Sequence, residues 1–201
     1  HSNFRGQAVT IFGSIENVEA ASDSNFSVVI LVQGPSAGRR IQEKQRQFGL
    51  VLNSNSARYD SVPTYYAIIS SSPLEMIASE ELLLQSRMSL EGLVEQLRQD
   101  GSDAAFDPEF VRLMRQSGHF QELERGVVLL SPTIFSARIP IESDAANGPY
   151  LARTLILSEG ELVGEATTRF TVRTQGFERY VAEMATRTWN WEAAVLCLVW
   201  R

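Results

Sequence analysis

Runs with a β-strand pattern lie before and after a single block with helical spacing, and strands and helices nowhere alternate along this chain. That grouping constrains the fold more than any motif does, because it favours an antiparallel sandwich over a βαβ sheet. The expected class is mainly β with a helical insert at about 72–118, an immunoglobulin-like antiparallel β-sandwich. A C-terminal helix leading into a membrane span is expected to follow. The domain division read from this is 1–175 for the sandwich and 176–201 for a juxtamembrane helix and the start of a transmembrane helix.

Residues 7–13, QAVTIFG, alternate as a strand. Residues 27–35, SVVILVQGP, are a continuous β-branched run stopped by Gly34-Pro35, which predicts a strand buried on both faces. RRIQEKQRQFGLVLN, with polar residues at every second position, reads as one exposed strand, and PTYYAIIS (63–70) as a fourth. Tyr65 and Tyr66 are adjacent and so face opposite sides of a strand. At most one is expected in the core, leaving the other for a contact surface.

Ser72-Pro73-Leu74-Glu75 has the order of a helix start: serine cap, proline at the first position, glutamate three after the cap. A second helical stretch, Leu90 to Gln99, ends at Asp100-Gly101. A third opens at Asp107-Pro108-Glu109 and stops at Gly118. Strands resume at Gly126–Ser131 and in IFSARIPI, where Phe135, Ala137, Ile139 and Ile141 share a face. YLARTLILS and ELVGEATTRFTVR flank Glu159-Gly160 as a hairpin. Gly148 followed by Tyr150 in ANGPY matches a tyrosine corner, in which the phenol ties a strand entrance back to the backbone.

Chemistry is sparse. With a net charge of -6 and no basic run, nucleic acid is not an expected partner. Cys197 is the single cysteine, so no intramolecular disulfide forms, and no cofactor or metal is expected. His119, in QSGHFQELE, reads as a surface or capping histidine. The carboxylates Glu80, Glu81, Glu122, Glu124, Asp100 and Asp103 read as solvated faces. Positive charge concentrates at Arg39, Arg40, Lys44 and Arg46, a candidate contact for an anion or a partner. An exposed strand kept by charge from sticking to others is the plainer reading of the same four residues.

The chain closes on GFERYVAEMATRTWNWEAAVLCLVWR, whose first half is amphipathic and whose stretch from Ala193 to Trp200 is uncharged. Tyr180, Trp189 and Trp191 are placed as a bilayer interface selects aromatic residues. The uncharged run is well under half of the roughly 20 residues a span needs.

Eight blocks in order, NFRGQAVTIFGSIE, VVILVQGP, KQRQFGLVLN, VPTYYAI, SPLEMIA, TIFSARIPI, NGPYLARTLILSEGELV and TVRTQGFERY, resemble the alphaproteobacterial transmembrane protein family Alph_Pro_TM. The resemblance covers Asn3 to Tyr180. It implies an extracytoplasmic domain, a C-terminal membrane helix entered but not completed here, and residence in a bacterial inner membrane with the main domain periplasmic. The segment after GFE is only loosely similar to the family's pre-membrane segment. The expected function is a non-catalytic, membrane-anchored module for an inner-membrane partner, and the resemblance adds an anion exporter as one such partner. The alternative is a small-anion or small-molecule binding domain that uses the Arg39–Arg46 strand.

Overall fold

A computed structural model describes residues 7–15, 26–47, 50–142, 145–173 and 193–199; for 7, 37–47, 50–56 and 193–199 it describes the backbone. Eleven strands are present among these residues. They are β1 (Gln7–Ile15), β2 (Phe26–Gln33), β3 (Ser36–Gln47), β4 (Leu50–Pro63), β5 (Tyr66–Ser70), β6 (Phe120–Leu123), β7 (Val127–Leu129), β8 (Ile134–Ile141), β9 (Gly148–Ser158), β10 (Glu161–Val172) and β11 (Ala193–Val199). Four helices, α1 (Leu74–Ile77), α2 (Glu80–Gln85), α3 (Leu90–Leu97) and α4 (Asp107–Gln116), fall between β5 and β6.

The strands form a four-stranded sheet, β11-β1-β8-β7, a five-stranded sheet, β10-β9-β2-β5-β6, and a separate β3-β4 ribbon. Two cores define the layers. One joins Val9 and Ile11, Phe135, Ala137, Ile139 and Ile141 to Val28, Ile30 and Val32 across the two larger sheets. The other lies on the opposite face of the five-stranded sheet, where Val29, Leu31, Tyr66 and Ile68 meet the helices and the near end of β4. The helical insert is therefore a third layer. This explains why β2 is apolar on both sides: consecutive side chains enter different cores.

Several expectations are corrected. Arg39–Asn53 is not one strand but parts of two, because β3 turns back on β4 in an antiparallel ribbon. Tyr65 and Tyr66 are both fully buried, since the sheet between them is covered on each face. The sandwich is not wholly antiparallel, because β6 joins β5 in parallel through the helical crossover. Ser72 caps nothing: α1 is a single turn entered through Pro73 without a side-chain cap. Ser79 and Ser89 cap α2 and α3 instead, accepting from the Leu82 and Gly92 amides. Asp107 lies inside α4 and not at its cap, because its carboxylate is engaged elsewhere.

The apolar run Ala193–Val199 is a strand, not the start of a helix. It pairs antiparallel with β1, Ile15 opposite Ala193 and Val9 opposite Val199. A β-capable apolar segment beside a strand with an open edge gains a full ladder of backbone hydrogen bonds. The remainder of 176–192, with Tyr180, Trp189 and Trp191, lies outside the described residues. Of the immunoglobulin-like features expected, the tyrosine corner is present: Tyr150 Oη donates to the Ala146 carbonyl at 3.0 Å. The Glu159-Gly160 hairpin also forms, both residues having positive φ (51° and 83°) as a type I′ turn requires.

Candidate functional site at one end of the sandwich

Phe26 at the start of β2, Leu157 near the end of β9 and Gly160 in the following turn come together at one end of the molecule. The chain leaving β5 passes the same place through Ser71, Ser72 and α1, and β7 brings Val127 and Leu129. Between them lies a cavity of about 820 Å³. Its wall is apolar where Phe26, Met76, Ile77, Leu129 and Leu157 line it. Ser27, Ser71, Ser72, Ser79, Glu75 and Glu159 supply hydroxyl and carboxylate groups. The described lining contains no basic residue.

Several large apolar residues are exposed. Met76 is 79% exposed, Leu130 58% and Val128 54%, with Leu129, Ile134, Leu162 and Val163 also exposed. Of these, Met76 and Leu129 line the cavity; Leu129 is opposite Phe135 beside the β7–β8 turn, and Leu162 is opposite the lining residue Leu157 beside the β9–β10 turn. Scattered exposed apolar residues need no explanation, whereas exposed apolar side chains at a cavity make it the candidate binding site among the described residues. Sequence patterning missed this site because its residues come from four segments far apart in the chain. Met76 was legible only as one of several helical apolar positions.

The other polar groups hold the layers together. Four buried tyrosines each donate a hydrogen bond: Tyr59 to Asp107 Oδ1 (2.8 Å), Tyr65 to the Pro140 carbonyl (2.7 Å), Tyr66 to the Arg87 carbonyl (2.8 Å) and Tyr150 as above. Burial pushes all four phenols above their ordinary range, and at Tyr59 the hydrogen bond to Asp107 adds to it. Asp107 also pairs with Arg98. Arg153 grips Glu165 through Nε (2.6 Å) and Nη2 (2.9 Å), which holds the Glu165 carboxyl below the usual range.

The residues singled out in the sequence do not gather at the cavity. Arg39, Arg40, Lys44 and Arg46 are all on β3, where the ribbon sets Arg40 directly opposite Arg58 and Arg39 opposite Tyr59. His119 follows α4, with Nδ1 4.0 Å from Glu142 Oε2. Glu122 and Glu91 share Arg115, Glu81 accepts from Gln85, and Asp103 caps the 3-10 turn before α4. No group of three or more potential metal ligands occurs among the described residues.

The family described as "Putative transmembrane protein" (Alph_Pro_TM) matches residues 1–195. The chain belongs to this family. Among the described residues, no helix of this Alph_Pro_TM protein is long and apolar enough to cross a membrane. No curated protein matches the chain, and no solved structure matches it.

Proposed function

We propose that this Alph_Pro_TM protein is a non-catalytic domain attached to the bacterial inner membrane, with its β-rich body in the periplasm, that holds a membrane-protein partner by the apolar end of the sandwich. One observation carries the reading: Met76, 79% exposed, lines the cavity together with the exposed Leu129, and Val128 and Leu130, the chain neighbours of Leu129, are each more than half exposed. Partner surfaces usually concentrate binding in a few anchors seated in pockets, and exposed apolar side chains at a cavity supply such a place. Family membership supports the membrane attachment. Arg98 with Asp107, Arg115 with Glu91 and Glu122, and Arg153 with Glu165 are taken up in ion pairs, which supports a structural over a catalytic use of these groups. An anion exporter is the partner class to which the family resemblance points.

The test is capture from mildly solubilised membranes with the full-length tagged protein and a Met76→Ser/Leu130→Ser variant. A specific membrane partner retained by the first and lost by the second is the expected result. Identical partner sets, or bait alone, would refute the reading. Protease protection of intact cells and spheroplasts checks the compartment, since a periplasmic body is digested only from the periplasmic side.

A second reading keeps one observation of its own. The register sets Arg40 opposite Arg58, a cross-strand pairing of like-charged residue types that a bound anion would relieve. Binding of a small anion by the ribbon predicts thermal stabilisation by millimolar sulfite, sulfate or phosphate. Stabilisation that persists in Arg58→Gln would dismiss it.

A further inference from the structure

β10 is the outermost strand of the five-stranded sheet, and no described strand pairs with its outer edge. β11 passes close to it but belongs to the other sheet. From Gly164 to Val172 the strand is in regular register with β9; a bulge between Leu162 and Gly164 ends the regular part. A long regular edge of this kind is a template for another strand, and proteins that must not pair there place obstructing charges on it.

The charges on β10 are not obstructing ones. Residues 164–170 read Gly-Glu-Ala-Thr-Thr-Arg-Phe. Turned about Thr167, Glu165 meets Arg169 and Gly164 meets Phe170. Charges placed to block self-pairing would meet their like; these meet their opposite. Glu165, Thr167 and Arg169 are all exposed, and Arg169 makes no ion pair among the described residues. Phe170, on the sandwich side, stacks on Tyr150 with ring centroids 5.5 Å apart. An aromatic ring opposite a glycine covers the backbone that the glycine leaves bare.

We propose that two copies of this chain join edge to edge through β10, antiparallel and centred on Thr167, making one ten-stranded sheet across a two-fold axis. Glu165 of each copy then lies between its own Arg153 and Arg169 of the partner subunit, and the two Thr167 residues face each other on the axis. The interface is isologous, so it closes at two copies and does not propagate. The two-fold sends the cavity ends to opposite ends of the joined sheet, leaving both open. The proposal therefore stands or falls independently of the partner reading.

Disulfide trapping in the full chain tests it, in a Cys197→Ser background. Thr167→Cys places the two thiols opposite each other, whereas Thr171→Cys places them roughly 27 Å apart. Oxidation should yield covalent dimer at least ten-fold faster at 167 than at 171, and Arg169→Glu should abolish that advantage. Arg169→Gln, which keeps a neutral polar side chain, should reduce it, and serves if the charge reversal does not fold. Equal rates at the two positions, no covalent dimer, or trapping unaffected by the Arg169 variants would each overturn the proposal.

Discussion

The ring of Phe135 lies across Gly13. The two residues are directly opposite on β8 and β1, and a Cβ on Gly13 would sit 2.2 Å from Phe135 Cζ. Both are fully enclosed between the sheets, so neither can move aside. Gly13→Ala should therefore lower unfolding free energy by about 1–3 kcal/mol. Phe135→Leu in the same background should recover part of that loss, although alone it is destabilising. Urea midpoints for the two single variants and the double variant check this. Strict additivity would mean that the ring and the glycine do not depend on each other.

The buried tyrosines predict a defined alkaline weakness. Tyr65 and Tyr66 have phenols raised by burial above the 10.0 of an exposed tyrosine. Above pH 10 the unfolded chain has lost these protons and the folded chain keeps them. Stability is thus full below pH 10 and falls as pH rises, by up to about 1.4 kcal/mol per pH unit for each such tyrosine. Tyr65→Phe should make the slope shallower between pH 10 and 11.5, at the cost of the bond to the Pro140 carbonyl. Urea titrations at half-unit intervals measure it; an unchanged slope in the variant would refute the assignment.

Much of this architecture is legible in the sequence. The helical block, the Phe135–Ile141 face, the Glu159-Gly160 hairpin and the Tyr150 corner rest on local patterning, where sequence and backbone preference coincide. What was misread depended on neighbours remote in sequence. Tyr65 and Tyr66 look like a half-exposed pair until the helices cover the second face of their sheet. Asp107 looks like a helix cap until Tyr59 and Arg98 claim its carboxylate. Ala193–Val199 has too few apolar residues to distinguish a membrane segment from an edge strand, and the β1 edge decides it here. The cavity was invisible because no single segment contains more than a fraction of its wall.

Tyr59, Asp107 and Arg98 tie the ribbon to the helical layer, and their coupling should be measurable. Tyr59 is buried and stacked on Phe110 at 4.0 Å, and its hydroxyl reaches Asp107 Oδ1 at 2.8 Å. Tyr59→Phe should cost about 0.5–1.5 kcal/mol. Asp107→Ala should cost about 1–3 kcal/mol, because it leaves the Tyr59 hydroxyl without its acceptor. The double variant should fall short of their sum by at least about 0.5 kcal/mol, the signature of a shared contact. Chemical denaturation of the four proteins closes the cycle. A coupling near zero would show that the ribbon and α4 are held by packing alone.

The apolar end predicts a separation between stability and binding. Met76 and Leu130 bury little of their surface within the chain, so replacing either with serine should change unfolding free energy by no more than about 0.5 kcal/mol. Ile77, on the same helical turn, is 3% exposed and belongs to the core; Ile77→Ser should cost several-fold more, through both the cavity left behind and the hydroxyl taken inside. Binding of an environment-sensitive hydrophobic dye should follow the opposite order, falling in the Met76 and Leu130 variants while their unfolding midpoints stay put. If serine at Met76 destabilises as much as serine at Ile77, the methionine is part of the fold, and the end of the sandwich is closed rather than waiting for a partner.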